Sequence, residues 1–242
     1  MKKFYFAIVA SLLLASFPTF AQKGLYLGVA VSANSVWITN QNNYGLPEMD
    51  YSTTFGMAEN INVGYDFTNH LGLKIEFGLN RIGEKYHDTK DTITGMETFA
   101  REVKLDYFNI PVLFKYRTGG KIVKFYVAVG PQFNFLRTAT QTYTKDGVPF
   151  STVLTNLAGK KFDAGAEDIK DRYNAMDIVA RMDLGINIMI IQHLMIDFGF
   201  TCGYGLKDLN ASDYKMGDFS SGVYHPSHSV FGGLTLGVGW HF

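Results

Sequence analysis

Apolar and polar residues alternate in eight separate segments of this 242-residue chain. In the third segment, for example, Leu73, Ile75 and Phe77 alternate with Lys74 and Glu76. A period of two residues predicts β-strands with one apolar and one polar face. The segments lie within residues 25–34, 55–67, 71–80, 103–116, 123–135, 176–188, 194–205 and 229–242. Beyond residue 21, no apolar run reaches the ~20 residues that a transmembrane helix needs, so only strands could carry the mature chain through a membrane.

The connections between these segments alternate in length. Residues 68–70, 117–120 and 191–193 form tight turns, whereas residues 38–53, 83–98, 139–172 and 207–227 form long loops. Short turns at one end and long loops at the other are typical of outer-membrane barrels. We therefore predict an all-β fold, an eight-stranded antiparallel up-and-down transmembrane barrel with short periplasmic turns and long extracellular loops.

The N-terminus has the features of an export signal. Lys2 and Lys3 precede an apolar stretch over residues 4–20, and small residues Thr19 and Ala21 stand where a signal peptidase cuts. We predict a secretory signal peptide over residues 1–21, with cleavage after Ala21, and a barrel domain over residues 22–242. An uncleaved membrane anchor is the alternative interpretation of the same stretch.

Composition excludes several classes of function. The formal net charge is zero, so there is no basic field for a nucleic-acid partner. The single cysteine, Cys202, excludes an intramolecular disulfide framework and a multi-cysteine metal site. We predict no cofactor and no metal.

The polar face of the strands is rich in glycine and in charges of both signs. Because an eight-stranded interior is narrow and filled by side chains, we predict that this face is the lumen and that its charges pair. The predicted lumen network is Lys74, Glu76, Lys104, Asp106, Lys115, Arg181, Asp183 and Asp197. The apolar face then meets lipid, with aromatic belts of Tyr65, Phe67, Tyr116, Phe125 and Trp240 at one end and Phe55, Tyr107, Phe135 and Tyr204 at the other. A soluble carrier with the apolar face inside is the alternative.

The fourth segment changes phase along its length. Val103, Leu105 and Tyr107 lie on one parity, whereas Phe108 and Ile110 lie on the other. A slip of one residue exchanges the two faces of a strand, so we predict a β-bulge near Tyr107 and Phe108.

Catalysis and metal binding find little support in the sequence. Ser227, His228 and Ser229 are adjacent, and neighbours on a strand point to opposite faces, so the histidine is poorly placed to activate either serine. His225 and His228 could bind a metal, but the spacing supplies no third ligand. We predict that the protein is not an enzyme.

Residues 106–116 read DYFNIPVLFKY and are followed by FYVAVGP over residues 125–131. These stretches resemble the Ile-Pro and Gly-Pro segments of the PorT-like outer-membrane β-barrel family, and the resemblance extends over the mature chain by strand order and length. It implies a location in the outer membrane of a Gram-negative cell. The C-terminal pattern of Leu236, Val238, Trp240 and Phe242 is similar to the signal that the barrel-assembly machinery recognises.

The function that these patterns favour is a structural or interaction role through the extracellular loops, above all residues 139–172, since scaffolded loops usually carry binding. The expected partners are outer-membrane lipid, the barrel-assembly machinery during biogenesis and a protein at the loops. A narrow pore or transporter for small solutes, or an accessory role in protein secretion, is the alternative.

Overall fold

Eight long antiparallel strands form one closed ring in the computed structural model, which describes residues 24–41, 49–93, 95–118, 120, 122–218 and 221–242. They are β1 (Gly24–Ile38), β2 (Thr54–Asp66), β3 (Leu71–Thr92), β4 (Gly95–Arg117), β5 (Val123–Lys145), β6 (Met176–Met189), β7 (Leu194–Gly205) and β8 (Ser229–His241). Each strand pairs with the next, and β8 pairs with β1 to close the ring. The predicted eight-stranded antiparallel barrel is confirmed. The predicted signal peptide, with Ala21, lies outside the described residues.

Short elements stand between the long strands at the loop end of the barrel. They are the strands Asp50–Ser52, Val148–Pro149, Val153–Thr155 and Lys161–Asp163 and the single-turn 3-10 helices Lys170–Arg172 and Ser212–Tyr214. The first of these strands pairs with β3, the second with the end of β5, and the other two with each other. Within the described ranges, no helix is both long enough and apolar enough to cross a bilayer.

The apolar face of the strands points outward. Phe55 on β2, for instance, is 76% exposed, and its neighbours in the sheet continue an apolar band around the barrel. Aromatic rings border this band, with Tyr65, Phe67, Tyr116, Phe125 and Trp240 at the turn end and Trp37, Phe55, Phe135 and Tyr204 at the loop end. Tyr107 was predicted for the second belt, and that prediction is wrong, because its side chain faces the lumen and is fully buried.

The strands β3, β4 and β5 extend far beyond the band at the loop end. Residues 83–98 were predicted as a loop, but β3 continues to Thr92 and β4 begins at Gly95. We call the paired segments 81–92 and 95–106 the β3–β4 ribbon. Both faces of a ribbon in water can be polar, so the alternation that marks the lower strands is missing over residues 87–100, the outer part of the ribbon. The turn at its tip includes Gly95, whose φ of +125° suits glycine.

The pairing of β4 with β5 contains the predicted irregularity. The register shifts between Asp106 and Tyr107, because Asp106 pairs with Thr138 whereas Tyr107 pairs with Leu136. The extra residue is thus Arg137 on β5, and β5 changes its facing there. The strand β4 keeps the same inward-facing positions from Val103 to Arg117. The predicted exchange of faces on β4 is therefore wrong, and the exchange occurs on β5.

An apolar cluster fills the upper lumen. Its side chains come from the barrel wall and from the loops, and we call this cluster the plug. The plug consists of Val36, Ile38, Met49, Ile82, Tyr86, Val103, Leu105, Tyr107, Leu136, Ala139, Ile169, Tyr173, Val179, Leu209 and Phe231. The lumen therefore changes from a polar lower half to an apolar upper half, which accounts for the apolar inward residues of β4.

Candidate functional site

Four charged side chains meet at the centre of the lower lumen. Lys74 and Glu76 come from β3, and Arg181 and Asp183 come from β6 on the facing wall. Lys74 Nζ lies 2.8 Å from Glu76 Oε1 and 2.9 Å from Asp183 Oδ2. Arg181 lies 2.9 Å from Glu76 Oε2 through Nη1 and 2.8 Å from Asp183 Oδ1 through Nε. We call these residues the lumen tetrad.

Neutral side chains complete the hydrogen bonds of the lumen tetrad. Gln132 Oε1 accepts a hydrogen bond from Arg181 Nη1 at 3.1 Å, and Thr201 Oγ1 donates one to Asp183 Oδ1 at 2.8 Å. All four charged residues are buried. Two cations thus balance two anions across the middle of the barrel, as buried charges require.

Asp197 lies near the lumen tetrad but has its own partners. Its two carboxylate oxygens accept hydrogen bonds from Tyr126 Oη at 2.7 Å and from Asn187 Nδ2 at 3.0 Å. A Cβ at Gly199 would come within 2.7 Å of the same tyrosine oxygen, and one at Gly185 within 2.9 Å of its ring. The glycines of the lumen face therefore make room for aromatic rings.

A second ionic cluster, which the sequence analysis missed apart from Lys115, closes the turn end of the lumen. Asp66, fully buried, lies 2.9 Å from Arg117 Nη1, 3.1 Å from His241 Nε2 and 3.7 Å from Lys115 Nζ. Lys115 also lies over the ring of Tyr26, 4.2 Å from its centroid. Asp66, Arg117 and His241 are the last residues of β2, β4 and β8. All three lie on the inward-facing positions of their strands, so counting every second residue to the end of each strand would have predicted them as lumen residues.

Lys104 and Asp106 do not belong to the lumen network, and this prediction is wrong. Both face outward on β4, where Asp106 pairs with Arg81 at 2.7 Å and Lys104 with Glu102 at 3.3 Å. Strand periodicity alone predicts an inward face that is polar along its whole length. Because the plug fills the upper lumen, the apolar parity is the inward one at this level and the charged parity meets solvent.

The residues of the predicted assembly signal end the chain. Leu236, Val238 and Trp240 face outward, and the backbone N–H of Phe242 donates to the carbonyl of Leu25 at 3.0 Å. Their recognition by the assembly machinery stays a prediction.

The candidate catalytic and metal-binding residues serve local structure. The ring of His228 stacks on Tyr204 with 5.4 Å between centroids. Ser229 Oγ donates to Asp177 Oδ2 at 2.7 Å, and Ser227 Oγ accepts from Asn210 at 3.0 Å. No group of three metal-binding side chains occurs in the part of the chain that the structure describes.

The loops close over the plug as a hydrogen-bonded cap. Gln41, which follows β1, donates to Asn210 Oδ1 at 2.8 Å and accepts from Tyr173 Oη at 2.9 Å. Asn210 in turn donates to Tyr224 Oη at 2.9 Å. Three different inter-strand segments are thereby joined above the barrel, and all of Gln41, Tyr173 and Asn210 are buried.

A cleft opens in this cap, and we call it the mouth cleft. It is lined by Gln41, Arg101, Tyr143, Leu154, Phe162, Ala164, Arg172, Tyr173, Asn210 and Tyr214. Arg101 lies on the β3–β4 ribbon and Arg172 in the first 3-10 helix. Sequence reasoning missed both arginines, since neither stands in a motif.

Comparison with protein families assigns this barrel. The model of the outer membrane protein β-barrel domain family matches residues 16–211. The chain belongs to this family. As an outer-membrane barrel it has its apolar band against lipid, its short turns toward the periplasm and its loop cap outside the cell.

Solved structures of other outer-membrane barrels are similar at low identity. Neisserial surface protein A is 14% identical with a TM-score of 0.44, covering 90% of this chain and 97% of that chain. Ail of Yersinia pestis, in complex with the heparin analogue sucrose octasulfate, is 11% identical with a TM-score of 0.39 and coverages of 90% and 99%. OprG of Pseudomonas aeruginosa is 9% identical with a TM-score of 0.36 and coverages of 91% and 97%. No curated protein matches the sequence.

Outside the lipid band of this outer-membrane barrel, Glu84 links β3 to the end of β1. The outward face of β3 changes from Leu79 to Arg81, so Glu84 lies beyond the band on the extracellular side. Its Oε2 accepts a hydrogen bond from the backbone N–H of Ile38 at the end of β1, at 2.9 Å. Burial raises the pKa of Glu84 to about 7, although the backbone N–H groups of Ile38 and Lys85 oppose the rise.

This pKa predicts a pH-dependent stability. Since the folded-state value lies above the ordinary 4.5, Glu84 stabilises the fold fully below about pH 4.5, and this contribution is lost as the pH rises through about 7. The wild type should therefore gain stability relative to Glu84→Gln between about pH 8 and about pH 5. Urea unfolding of both proteins in detergent checks this. A stability difference that stays constant over that range would contradict it.

Proposed function

We propose that this outer-membrane barrel is a recognition protein of the cell surface that acts through its loop cap and conducts nothing through its lumen. The carrying observation is that the lumen is blocked at two levels. The lumen tetrad spans the lower half with ion pairs of 2.8–2.9 Å, and the plug fills the upper half. An eight-stranded barrel has little interior left once such side chains occupy it.

The order of the loop cap supports a binding role. Hydrogen bonds of 2.8–2.9 Å among Gln41, Tyr173 and Asn210 hold three loops in one arrangement. A rigid surface loses less entropy on binding than mobile loops do, so preorganised loops favour recognition. We infer a non-catalytic role, since Ser229 and His228 make the local contacts described above.

Within the family, we infer a place in the PorT-like branch. The inference rests on the DYFNIPVLFKY stretch over residues 106–116, which forms the wall strand β4, and on the GP dipeptide of β5. We also infer that residues 1–21 direct export to the outer membrane. No described residue of the loop cap or the lumen supports an accessory role in protein secretion.

Conductance tests the proposal. Purified protein inserted into a planar bilayer should give no channel events, because ions cannot pass the lumen tetrad and the plug together. A general porin inserted in the same bilayer is the positive control, and a gel shift on heating verifies that the test protein is folded. Reproducible single-channel steps from the folded wild-type barrel would overturn the proposal in favour of the narrow pore.

A further inference from the structure

A second cleft lies in the barrel wall, at the loop end, where β1 and β2 separate. The pairing of these two strands ends at Val36 and Thr54. Beyond this point β1 continues along β8 to Ile38, whereas the chain before β2 forms the short strand Asp50–Ser52 on the edge of β3. We call the space between them the wall cleft. It is lined by Ser35, Val36, Trp37, Thr39, Asn40, Tyr51, Ser52, Thr53, Thr54 and Glu84.

The wall cleft has room for a ligand. The centre of a water-sized sphere can move through about 530 Å³ of it. One water molecule needs roughly 10–15 Å³ by this measure, so the cleft would hold a six-membered ring with several substituents. Trp37 and Tyr51 at its sides are 40% and 47% exposed, which shows that the cleft is open to its surroundings.

Hydroxyl groups dominate the polar lining of the wall cleft, and the structure holds them in place. Thr54 Oγ1 donates to the carbonyl of Ser52 at 3.0 Å and accepts from the backbone N–H of Lys85 at 2.9 Å. Thr39 Oγ1 accepts from the backbone N–H of His228 at 3.0 Å. Because a hydroxyl oxygen has one donor and two lone pairs, both threonines keep acceptor capacity for a ligand.

The charge of the lining favours an uncharged ligand. Glu84 is the one carboxylate among the described lining residues, and none of them is a lysine, an arginine or a histidine. Its two oxygens accept hydrogen bonds from the backbone N–H groups of Ile38 and Lys85, at 2.9 Å and 3.3 Å. A ligand anion would thus find no cation, and Glu84 is bonded without a cationic ligand.

Two aromatic side chains line opposite sides of the wall cleft. Trp37 comes from β1 and Tyr51 from the strand Asp50–Ser52. The ring of Tyr51 packs against the buried ring of Tyr86, with 5.6 Å between centroids. Trp and Tyr each combine an apolar ring with a hydrogen-bonding group. A ligand with apolar C–H faces and a hydroxylated edge, as in a sugar ring, complements such walls.

We propose that the wall cleft binds an uncharged sugar ring, with its apolar face against Trp37 or Tyr51 and its hydroxyl groups bonded to the serines and threonines of the lining. This inference rests on the proposed recognition role and names a ligand class for it. Such a ring has two sources, a free saccharide and the headgroup of a glycolipid in the outer leaflet. Trp37 belongs to the loop-end belt, so the wall cleft begins at the level of these headgroups.

Tryptophan fluorescence of the full-length mature protein tests the ligand class. The chain contains two tryptophans, Trp37 in the wall cleft and Trp240 in the turn-end belt. Trp240→Phe therefore leaves Trp37 as the single indole, and its emission reports on the cleft. In a detergent without a sugar headgroup, this emission should change saturably with glucose, galactose, mannose or N-acetylglucosamine. Trp37→Phe, which retains Trp240, should show no change.

Two further probes test the chemistry of recognition. Glycerol has hydroxyl groups without a ring, and glucuronate has a ring with a charge that the lining does not pair. The preferred sugar should bind at least about tenfold more tightly than either probe, a difference of about 1.4 kcal/mol. Equal affinity for the sugar and for glycerol or glucuronate would contradict the proposed ligand class.

A variant of the aromatic wall locates the site. In the Trp240→Phe background, Tyr51→Leu should weaken binding of the preferred sugar at least about tenfold, because it removes one aromatic wall. The matched control is Tyr65→Leu, which changes a tyrosine of similar exposure in the turn-end belt and should leave affinity unchanged. A gel shift on heating verifies that each variant is folded. Equal affinity with and without Tyr51→Leu would contradict the site.

Vesicles distinguish the two sources. The Trp240→Phe protein is placed in phosphatidylcholine with and without a diacylglycerol glycoside of the preferred sugar. A change in Trp37 emission that Tyr51→Leu abolishes would assign a lipid headgroup, whereas a response to the free sugar alone would assign a soluble saccharide. No saturable response to any free sugar or glycolipid would overturn the inference. Such a failure with a silent bilayer would leave the proposed recognition role intact, whereas channel events would remove that role.

Discussion

Arg181→Leu should lower the free energy of unfolding by about 3–5 kcal/mol. The substitution leaves Glu76 and Asp183 buried opposite each other with Lys74 as the remaining cation of the lumen tetrad. An uncompensated charge in a buried site costs far more than an apolar side chain of similar size restores. Urea unfolding of the barrel in lipid vesicles measures the loss.

Two variants make this prediction specific. Arg81→Leu removes an arginine whose side chain is 58% exposed and which pairs with Asp106. This substitution should cost less than about 1 kcal/mol of stability. Adding Glu76→Gln to Arg181→Leu removes one anion as well as one cation, so the double variant should be more stable than Arg181→Leu alone. If Arg81→Leu and Arg181→Leu lost the same stability, the lumen tetrad would have no special energetic role.

Leu236→Arg should cost about 2–4 kcal/mol of stability in a bilayer. Leu236 faces outward on β8, between Val230 beside the loop-end belt and Trp240 in the turn-end belt. A guanidinium there would be surrounded by acyl chains. Equilibrium unfolding from vesicles gives the difference from wild type.

Depth within the membrane supplies the control for Leu236→Arg. Val230 lies on the same strand and face, paired with Trp37 and Tyr204 at the loop-end belt. An arginine at that level reaches the headgroups, so Val230→Arg should cost only about 0–1 kcal/mol. Equal costs at the two positions would show that the outward face does not meet lipid.

The lower barrel could be predicted from the sequence because one rule governs all of it. From Leu71 to Leu79 on β3, and from Leu194 to Tyr204 on β7, side chains at every second position meet lipid. Lys74, Glu76, Arg181 and Asp183 then fall on the other parity, so their place in the lumen follows from strand periodicity. Their pairing across the barrel does not, because it depends on how β3 and β6 face each other.

The upper lumen was mispredicted because the same rule was extended too far. Val103, Leu105 and Tyr107 share their inward parity with Asn109 and Lys115, although their chemistry is opposite. A switch of the apolar residues from one parity to the other has two explanations. Either the strand exchanges its faces, or the lumen beside it changes from polar to apolar, and the sequence pattern is the same in both cases. The plug decides between them, and it includes loop residues such as Ile169 and Leu209, which no strand pattern reveals.

The mouth cleft was beyond prediction for a related reason. Arg101 comes from a strand predicted as loop at its start, Phe162 from a separate short hairpin, and Arg172 from a single helical turn. These positions are far apart in sequence and show no common spacing. Only the packing of the loops brings them to one place.

The β3–β4 ribbon determines what an approaching particle meets first. From Leu79, the last lipid-facing residue, β3 runs on to Thr92, which at about 3.3 Å per residue is roughly 40 Å along the strand. A projection of that length rises above the headgroups even when tilted. Antibodies and neighbouring cells would therefore touch the tip before they touch the bilayer.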